Sequence, residues 1–309
     1  MSIKTPVLLI TFARPEYAAK SFAAIRNAKP PTLYLYNNAP RSTNKDEVLR
    51  NSQVRQILNN VDWECDLKTF YRDEHVDVYT SIYSAIDWIF DNEEQAIIIE
   101  EDCVASLAFF DYCEKLLSIY KNEKKVWMLT GDNFTPEGNP PDMPYFFTRY
   151  GHIYGWASWS DRWNNQDRKL SGLGDLIKSK HFYTYFGDER RGKYFEKMFV
   201  KFYKKLGKYN PWDFIKSYNM IASSTYAIIP SINLVSNIGV SGQHNKNIKP
   251  SKNHNLPIPT FSEFKFDKLL SEIEPTTYDD YHFQHHYWLR RVSLPSRVFN
   301  KILRILKLT

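Results

Sequence analysis

Ile97, Ile98 and Ile99 run directly into Glu100, Glu101 and Asp102. An unbroken apolar run of this length belongs to a strand buried on both faces, as in a parallel sheet. Parallel neighbours need crossover connections, and two buried faces need helices to cover them, so the run constrains the chain to an α/β architecture. The three carboxylates then stand at the carboxyl end of a strand, where ligands of open α/β sheets bind. Like charges this close repel one another. A hard divalent cation offsets that repulsion and can share its coordination with substrate phosphates. A solvated strand end is the alternative that spacing alone leaves open.

The rest of the chain supplies the alternation such a sheet requires. Strands are expected at Val7–Thr11, Thr32–Tyr36, Cys65–Phe70, Ala96–Ile99 and Val126–Leu129. Helices are expected between them: one opened by Arg14-Pro15-Glu16 and stopped at Lys29-Pro30-Pro31, then Asp46–Leu58, Thr80–Phe90 and Leu107–Tyr120. Thr135–Pro144 and Lys246–Pro259 read as loops. From Tyr150 the texture changes to polar, helix-compatible sequence up to about Lys208, and Ala227–Val235 reads as a late strand interrupted by Pro230.

Bulk properties exclude several classes. The 309 residues suit one large α/β domain with an appendage, or two modest ones. Cys65, Cys103 and Cys113 are an odd number without CxxC spacing, so neither a zinc site nor a disulfide framework is expected, and a reducing, cytoplasmic compartment is the simplest reading. No apolar stretch spans a bilayer and no signal peptide is expected. The net charge of +6 lies entirely in residues 290–309, so the body is formally neutral and no nucleic-acid-binding face is expected. Phosphate-cradling signatures of the GxGxxG and GxxxxGK[ST] type are absent.

An ordered set of segments resembles bacterial GT-A glycosyltransferases related to family 2 and to N-acetylglucosaminyltransferase I. The segments are residues 6–15, Ser84-Ala85-Ile86-Asp87-Trp88, Ile98–Cys103, Thr130-Gly131-Asp132-Asn133-Phe134, Arg149–Trp159, Trp212-Asp213 and Asn233–Gly239. Together they cover roughly residues 5–245. The resemblance implies a nucleotide-diphospho-sugar transferase (GT-A) fold, with a mostly parallel central sheet, helices on both faces and a C-terminal helical extension. It divides the chain into a GT-A domain at 1–246, with a nucleotide-sugar half at 1–134 and an acceptor half at 135–246, followed by a linker and extension at 247–309.

The resemblance also implies roles. Asp102 takes the position of the metal ligand in a DXD-like motif. Glu100 and Glu101 lie near the ribose, the sugar or metal-bound water. Thr11, Arg14 and Asn38 face the nucleotide, Arg72 remains as a phosphate contact, and Gly155 and Trp156 line the donor and acceptor cleft. Asp213 takes the position of the catalytic base, a helix N-cap being the other reading. His244 is a candidate for closing over the metal or diphosphate, or an ordinary surface histidine. The implied activity is metal-dependent (Mn²⁺ or Mg²⁺), inverting transfer of a hexosyl or N-acetylhexosaminyl group from a nucleotide-diphosphate sugar. The implied acceptor is a glycan or lipid-linked glycan of surface polysaccharide synthesis. The alternative is a degenerate GT-A domain that binds nucleotide or glycan without catalysis.

Two stretches depart from the family. Relatives carry Asp-Gly-Pro-Arg where this chain has Asn38-Ala39-Pro40-Arg41, and a Gly- and Lys-bearing stretch where it has His75–Ser81. His282, His285 and His286 have helical spacing, but their aromatic neighbours favour a packing helix over a metal site. From Ser296 onward, Val298, Phe299, Ile302, Ile305 and Leu306 share one helical face with basic residues opposite, a pattern suited either to an anionic membrane surface or to docking on the domain.

Overall fold

Even- and odd-numbered side chains of the first strands go to opposite sides of a sheet, and both sides are buried. Val7, Leu9, Leu33, Leu35, Ile97 and Ile99 share one core, while Leu8, Ile10, Tyr34, Tyr36, Ala96 and Ile98 share another. The computed structural model describes residues 3–208, 211–239, 252–266, 269–270 and 272–288. His244 and the basic segment from Ser296 lie outside these residues.

The chain alternates as expected through β1 (Val7–Thr11), α1 (Pro15–Ala28), β2 (Thr32–Asn37), α2 (Lys45–Leu58), β3 (Asp66–Tyr71), α3 (Val78–Phe90) and β4 (Gln95–Glu100). After β4 come β5 (Cys103–Ala105), α4 (Leu107–Tyr120), β6 (Val126–Thr130), β7 (Tyr145–Thr148) and β8 (Trp156–Trp159). Then α5 (Ser160–Trp163), α6 (Leu173–Lys178), α7 (His181–Phe186), α8 (Glu189–Tyr203) and α9 (Trp212–Ala222) lead to β9 (Tyr226–Pro230) and β10 (Val235–Asn237). The described chain ends in α10 (Tyr278–His282) and a π-helical turn at Phe283–Trp288.

Helix boundaries follow local chemistry. Asn44, Asp77 and Ser106 cap α2, α3 and α4 through their side chains, and Lys29 ends α1 in the left-handed region. The sheet has eight strands in the order β3-β2-β1-β4-β8-β6-β9-β7. Only β7 and β8 run against the others, so the α/β class and its mostly parallel sheet are as expected. Helices α1, α2 and α4 cover one face, and α3 with α7–α9 covers the other.

The central and late strands differ from the sequence reading. Residues 156–159 form a strand at the centre of the sheet, between β4 and β6. Gly155 makes that possible: its φ is +66°, and a Cβ there would lie 2.8 Å from Val235 Cγ2. The expected late strand is two strands, of which β10 leaves the main sheet and pairs antiparallel with β5, Asn237 opposite Cys103. That pairing carries residues 237–239 up to the acidic strand end.

The C-terminal extension packs into the body. Tyr278, Asp279, His282 and Phe283 are all buried. The Asp279 carboxylate accepts hydrogen bonds from Thr148 Oγ1 (2.5 Å) and from Arg149 through N (3.2 Å) and Nη1 (3.0 Å). Removing one partner of such a buried pair strands the other charge. Asp279→Ala is therefore expected to cost about 3–5 kcal/mol of stability, read as a lowered midpoint in urea unfolding; Thr148→Val, which leaves the ion pair intact, should cost no more than about half of that.

Candidate active site

β1, β2 and β4 are adjacent and parallel, with Thr11 opposite Asn37 and Ile10 opposite Glu100. Their carboxyl ends open together into a cavity of about 450 Å³, whose lining includes Thr11, Arg14, Asn38, His75, Glu100 and Glu101. Most of the residues assigned to the nucleotide in the sequence reading are thus brought to one place by strand register.

The three carboxylates do different things there. Glu101 is buried: Oε2 accepts from Phe12 N (2.8 Å) and Oε1 from Arg14 Nε (2.6 Å), which ties the end of β4 to the β1–α1 turn. Asp102 accepts from Arg14 Nη1 through Oδ2 (2.9 Å), and its backbone carbonyl accepts from Ile238 N (2.8 Å). Gly239 lies against the same carboxylate, so closely that a Cβ would come within 2.2 Å of Oδ2. Glu100 faces the cavity, and its carboxyl is pushed up to about 8, by burial first and then by Asp102, against the pull of Arg14. Burial works against the Arg14 charge, but Glu101 and Asp102 more than offset it and raise its pKa.

Among the described residues, no three His, Cys, Asp or Glu side chains form a group able to hold a metal ion. The strand end offers a cation Asp102, one of whose oxygens faces Arg14, and Glu100. That donor set does not make a protein cage. It does fit a hard cation that takes one or two carboxylates and most of its remaining ligands from substrate phosphates.

The two stretches that depart from the family meet at this cavity. Asn38 donates through Nδ2 to Val76 O (2.8 Å) and accepts through Oδ1 from Val76 N (3.3 Å). Only an amide can do both; a carboxylate accepts but does not donate. His75 Nδ1 contacts Ala39 O at 2.8 Å, and its ring lies 5.5 Å from that of Phe12. The hydroxyl of Thr11 donates to Tyr36 O and accepts from Asn37, so it shapes the wall. Arg72 is not among the residues lining the cavity: its guanidinium donates to Tyr36 Oη and Ser84 Oγ, both at 2.7 Å.

A second cavity of about 440 Å³ is lined by Phe134, Tyr154, Asp213, Asn253, His286 and Tyr287, among others. Asp213 lies in the first turn of α9, whose N-cap is Pro211, so it is not the cap. Burial raises its pKa; Lys216 and the backbone amides of its own turn oppose the rise. Lys216, one turn further on, is fully buried and donates through Nζ to Gly151 O at 2.5 Å. Burial lowers its pKa to about 8, while Asp213 and Asp132 hold its proton on. Asp132 is also fully buried, with no strong hydrogen bond to either carboxylate oxygen, and burial raises its pKa well above the usual range despite Lys216. The two cavities share one field, because Asp213 adds to the rise at Glu100. Tyr154, which lines the second cavity, also feels the strand-end acids: its phenol is raised by burial and then by Asp132, Cys103, Asp102 and Glu100.

Gly155 and Trp156 are placed differently from the cleft-lining role expected for them. Trp156 is fully buried against Trp127, Trp163 and Trp212 and lines neither cavity; Gly155 supports it by the turn into β8. The sequence reading missed Lys216, a helical lysine without local signal. Asp132 was legible as an acid just past the end of β6, the same kind of signal as Glu100. His282 is buried and contacts His152 (Nε2 to Nε2, 3.1 Å) and Thr135 (2.9 Å), in line with the packing reading, whereas His286 lines the second cavity.

No protein-family model and no curated protein matches this sequence. Among solved structures it is similar to an apo form of UDP-glucose pyrophosphorylase, at 10% identity and a TM-score of 0.38 over 76% of this chain and 93% of that one. It is similar to the bifunctional glycosyltransferase WbbM at 12% and 0.31, over 58% of this chain but only 35% of that one. It is also similar to the glycosyltransferase GlyE of Streptococcus pneumoniae TIGR4 at 10% and 0.32, over 72% and 43%.

The raised Glu100 pKa has a measurable consequence. The folded chain holds a proton that the unfolded chain has lost, so this stabilisation is complete below about pH 4.5 and is lost as the pH rises through about 8. In chelator-treated protein, the thermal midpoint of Glu100→Gln minus that of the wild type should therefore grow between pH 5 and 8.5. A difference that stays flat across that range would show that Glu100 is ionised throughout.

Proposed function

We propose that this chain is a nucleotide-sugar-dependent glycosyltransferase of the GT-A type, transferring a hexosyl or N-acetylhexosaminyl group with inversion to a glycan or lipid-linked glycan. The observation that carries the reading is the juxtaposition of two cavities. One, at the strand ends, is lined by Arg14, Glu100 and Glu101; the next is lined by Asp213, and the carboxylates of the two interact. The ordered motif set supports the same assignment.

In this reading the donor lies in the strand-end cavity, with the nucleotide against the Phe12–His75 wall and the diphosphate near Arg14 and Asp102. Arg14, which makes one charge-assisted hydrogen bond to each of Glu101 and Asp102, presents its positive charge to the diphosphate. A divalent ion, when bound, neutralises charge on the departing diphosphate; Asp102 would hold it, with His244 as a further candidate ligand. Asp213 accepts the acceptor hydroxyl's proton while that oxygen bonds to the anomeric carbon and the carbon–phosphate oxygen bond breaks, its electron pair leaving with the diphosphate. The anomeric carbon carries oxocarbenium character in between. Lys216 opposes the rise that burial imposes on the Asp213 pKa, which favours the ionised form a base needs.

One feature favours the degenerate-binder alternative: the Asn38 amide is occupied by Val76 and offers a base little. Two measurements separate the readings. A thermal-shift panel of nucleoside diphosphates with Mn²⁺ or Mg²⁺ should show stabilisation by at least one nucleotide, and the matching nucleotide-sugar should be consumed. Asp213→Asn should lower transfer by about 10²–10⁴-fold and leave nucleotide affinity within about threefold, as expected of a group that acts on the acceptor proton. Transfer at the wild-type rate would eliminate Asp213 as the base, and binding without turnover in the wild type would favour the alternative. Residues 296–309 would attach the enzyme to an anionic membrane surface, so their removal should abolish flotation with phosphatidylglycerol vesicles; unchanged flotation would exclude that role.

A further inference from the structure

We propose that the second cavity binds an uncharged sugar residue of the acceptor and selects against anionic ones. This rests on the reading of Asp213 as the base and names the acceptor class for that same site.

Two properties of the walls carry it. The first is an aromatic corner. Phe134 and His286 stack with ring centroids 5.5 Å apart and planes 12° apart, Tyr154 meets Phe134 edge-on at 5.3 Å, and Tyr287 meets His286 at 4.9 Å and 70°. Ring faces set at an angle suit the C–H face of a pyranose. A volume of about 440 Å³ lies within the range of pockets that enclose small ligands.

The second property is charge. Among the described residues of the lining, Asp213 is the one carboxylate, and there is no Lys or Arg. The nearby ammonium, Lys216, is buried and held by Gly151 O. His152 stays neutral, because burial and then His282, His286 and Lys216 all lower its pKa. A phosphate or uronate entering here would lose its hydration and meet a like charge at Asp213. A neutral ring would meet a carboxylate that accepts from its hydroxyl.

The wall is held in place independently of the nucleotide site. His286 and Tyr287 belong to the π-helical turn, which follows directly on α10. That helix is pinned by Asp279 to Thr148 and Arg149, by His282 to Thr135 and His152, and by Tyr278 Oη to Asn133 Oδ1 (3.3 Å). Acceptor choice and donor choice are thus set by different segments of the chain.

The test uses the full-length protein with the nucleoside diphosphate and metal that the thermal-shift panel selects. Binding of methyl hexosides and methyl N-acetylhexosaminides is measured by ligand-observed NMR beside glucuronate and hexose 6-phosphates. The inference expects at least one neutral glycoside to bind at least about tenfold more tightly than every anionic analogue. His286→Ala should weaken that glycoside by about 3- to 10-fold and leave nucleotide affinity unchanged. Phe134→Leu, which keeps bulk and loses the ring, should do the same where the histidine variant folds poorly. Anionic sugars binding as well as neutral ones, or neutral affinity unchanged in both variants, would overturn the inference while nucleotide binding persisted. Absence of nucleotide binding would instead overturn the functional reading on which it rests.

Discussion

The fork of Arg14 between Glu101 and Asp102 organises the strand-end cavity. Two carboxylates side by side at the end of a buried strand would repel each other, and burial makes that repulsion worse. The guanidinium meets one oxygen of each, and Glu101 also accepts from Phe12 N, so β4 and the turn after β1 are closed into one piece. Removing the fork would leave two carboxylates and a backbone amide to find water in a partly closed space. With it in place, Glu101 acts as a structural strut, Asp102 is oriented against Gly239, and Glu100 is left to face the cavity.

The second cavity is organised by another basic side chain, Lys216. Lys216 sits one turn after Asp213 and is answered electrostatically by Asp132 from the end of β6. A lysine with no exposure is costly to keep charged. Here one ammonium moderates two desolvated carboxylates and hydrogen-bonds a carbonyl from the segment before β8. Lys216 and the amides of the carboxylate's own helical turn oppose the rise in pKa that burial imposes on Asp213. In the proposed reading, the strand-end fork marks the place of the diphosphate, and the buried lysine favours the ionised form of the base beside it. In both, one basic side chain balances two acids.

How much of this could be read from the chain depends on the range of the interactions involved. The helices at 15–28, 45–58, 78–90 and 107–120 are set by local caps and apolar stripes, and the sequence reading placed each within two residues. The strand β8 was missed because Trp156–Trp159 has no alternation or flanking pattern of its own; its pairing with β4 and β6, and the left-handed turn at Gly155, make it a strand. Trp156 was expected in the cleft because its motif is there, yet a tryptophan on a central strand goes into whichever face the register assigns. Arg72 was drawn away by Tyr36 and Ser84, which no sequence spacing connects to it.

By itself, the sequence determined an α/β chain whose isoleucine-rich strand ends in carboxylates, and an acid placed to begin a helix at Asp213. Those follow from patterns within about ten residues, where backbone geometry alone dictates which side chains share a face. Only the tertiary structure decided which of Glu100, Glu101 and Asp102 stays open to a ligand. It decided too that Asn38 clips Val76, and that His286 and Tyr287 wall the cavity of Asp213. Each of these turns on hydrogen bonds and charges between residues tens of positions apart, and their balance against burial exists only once the sheet has assembled.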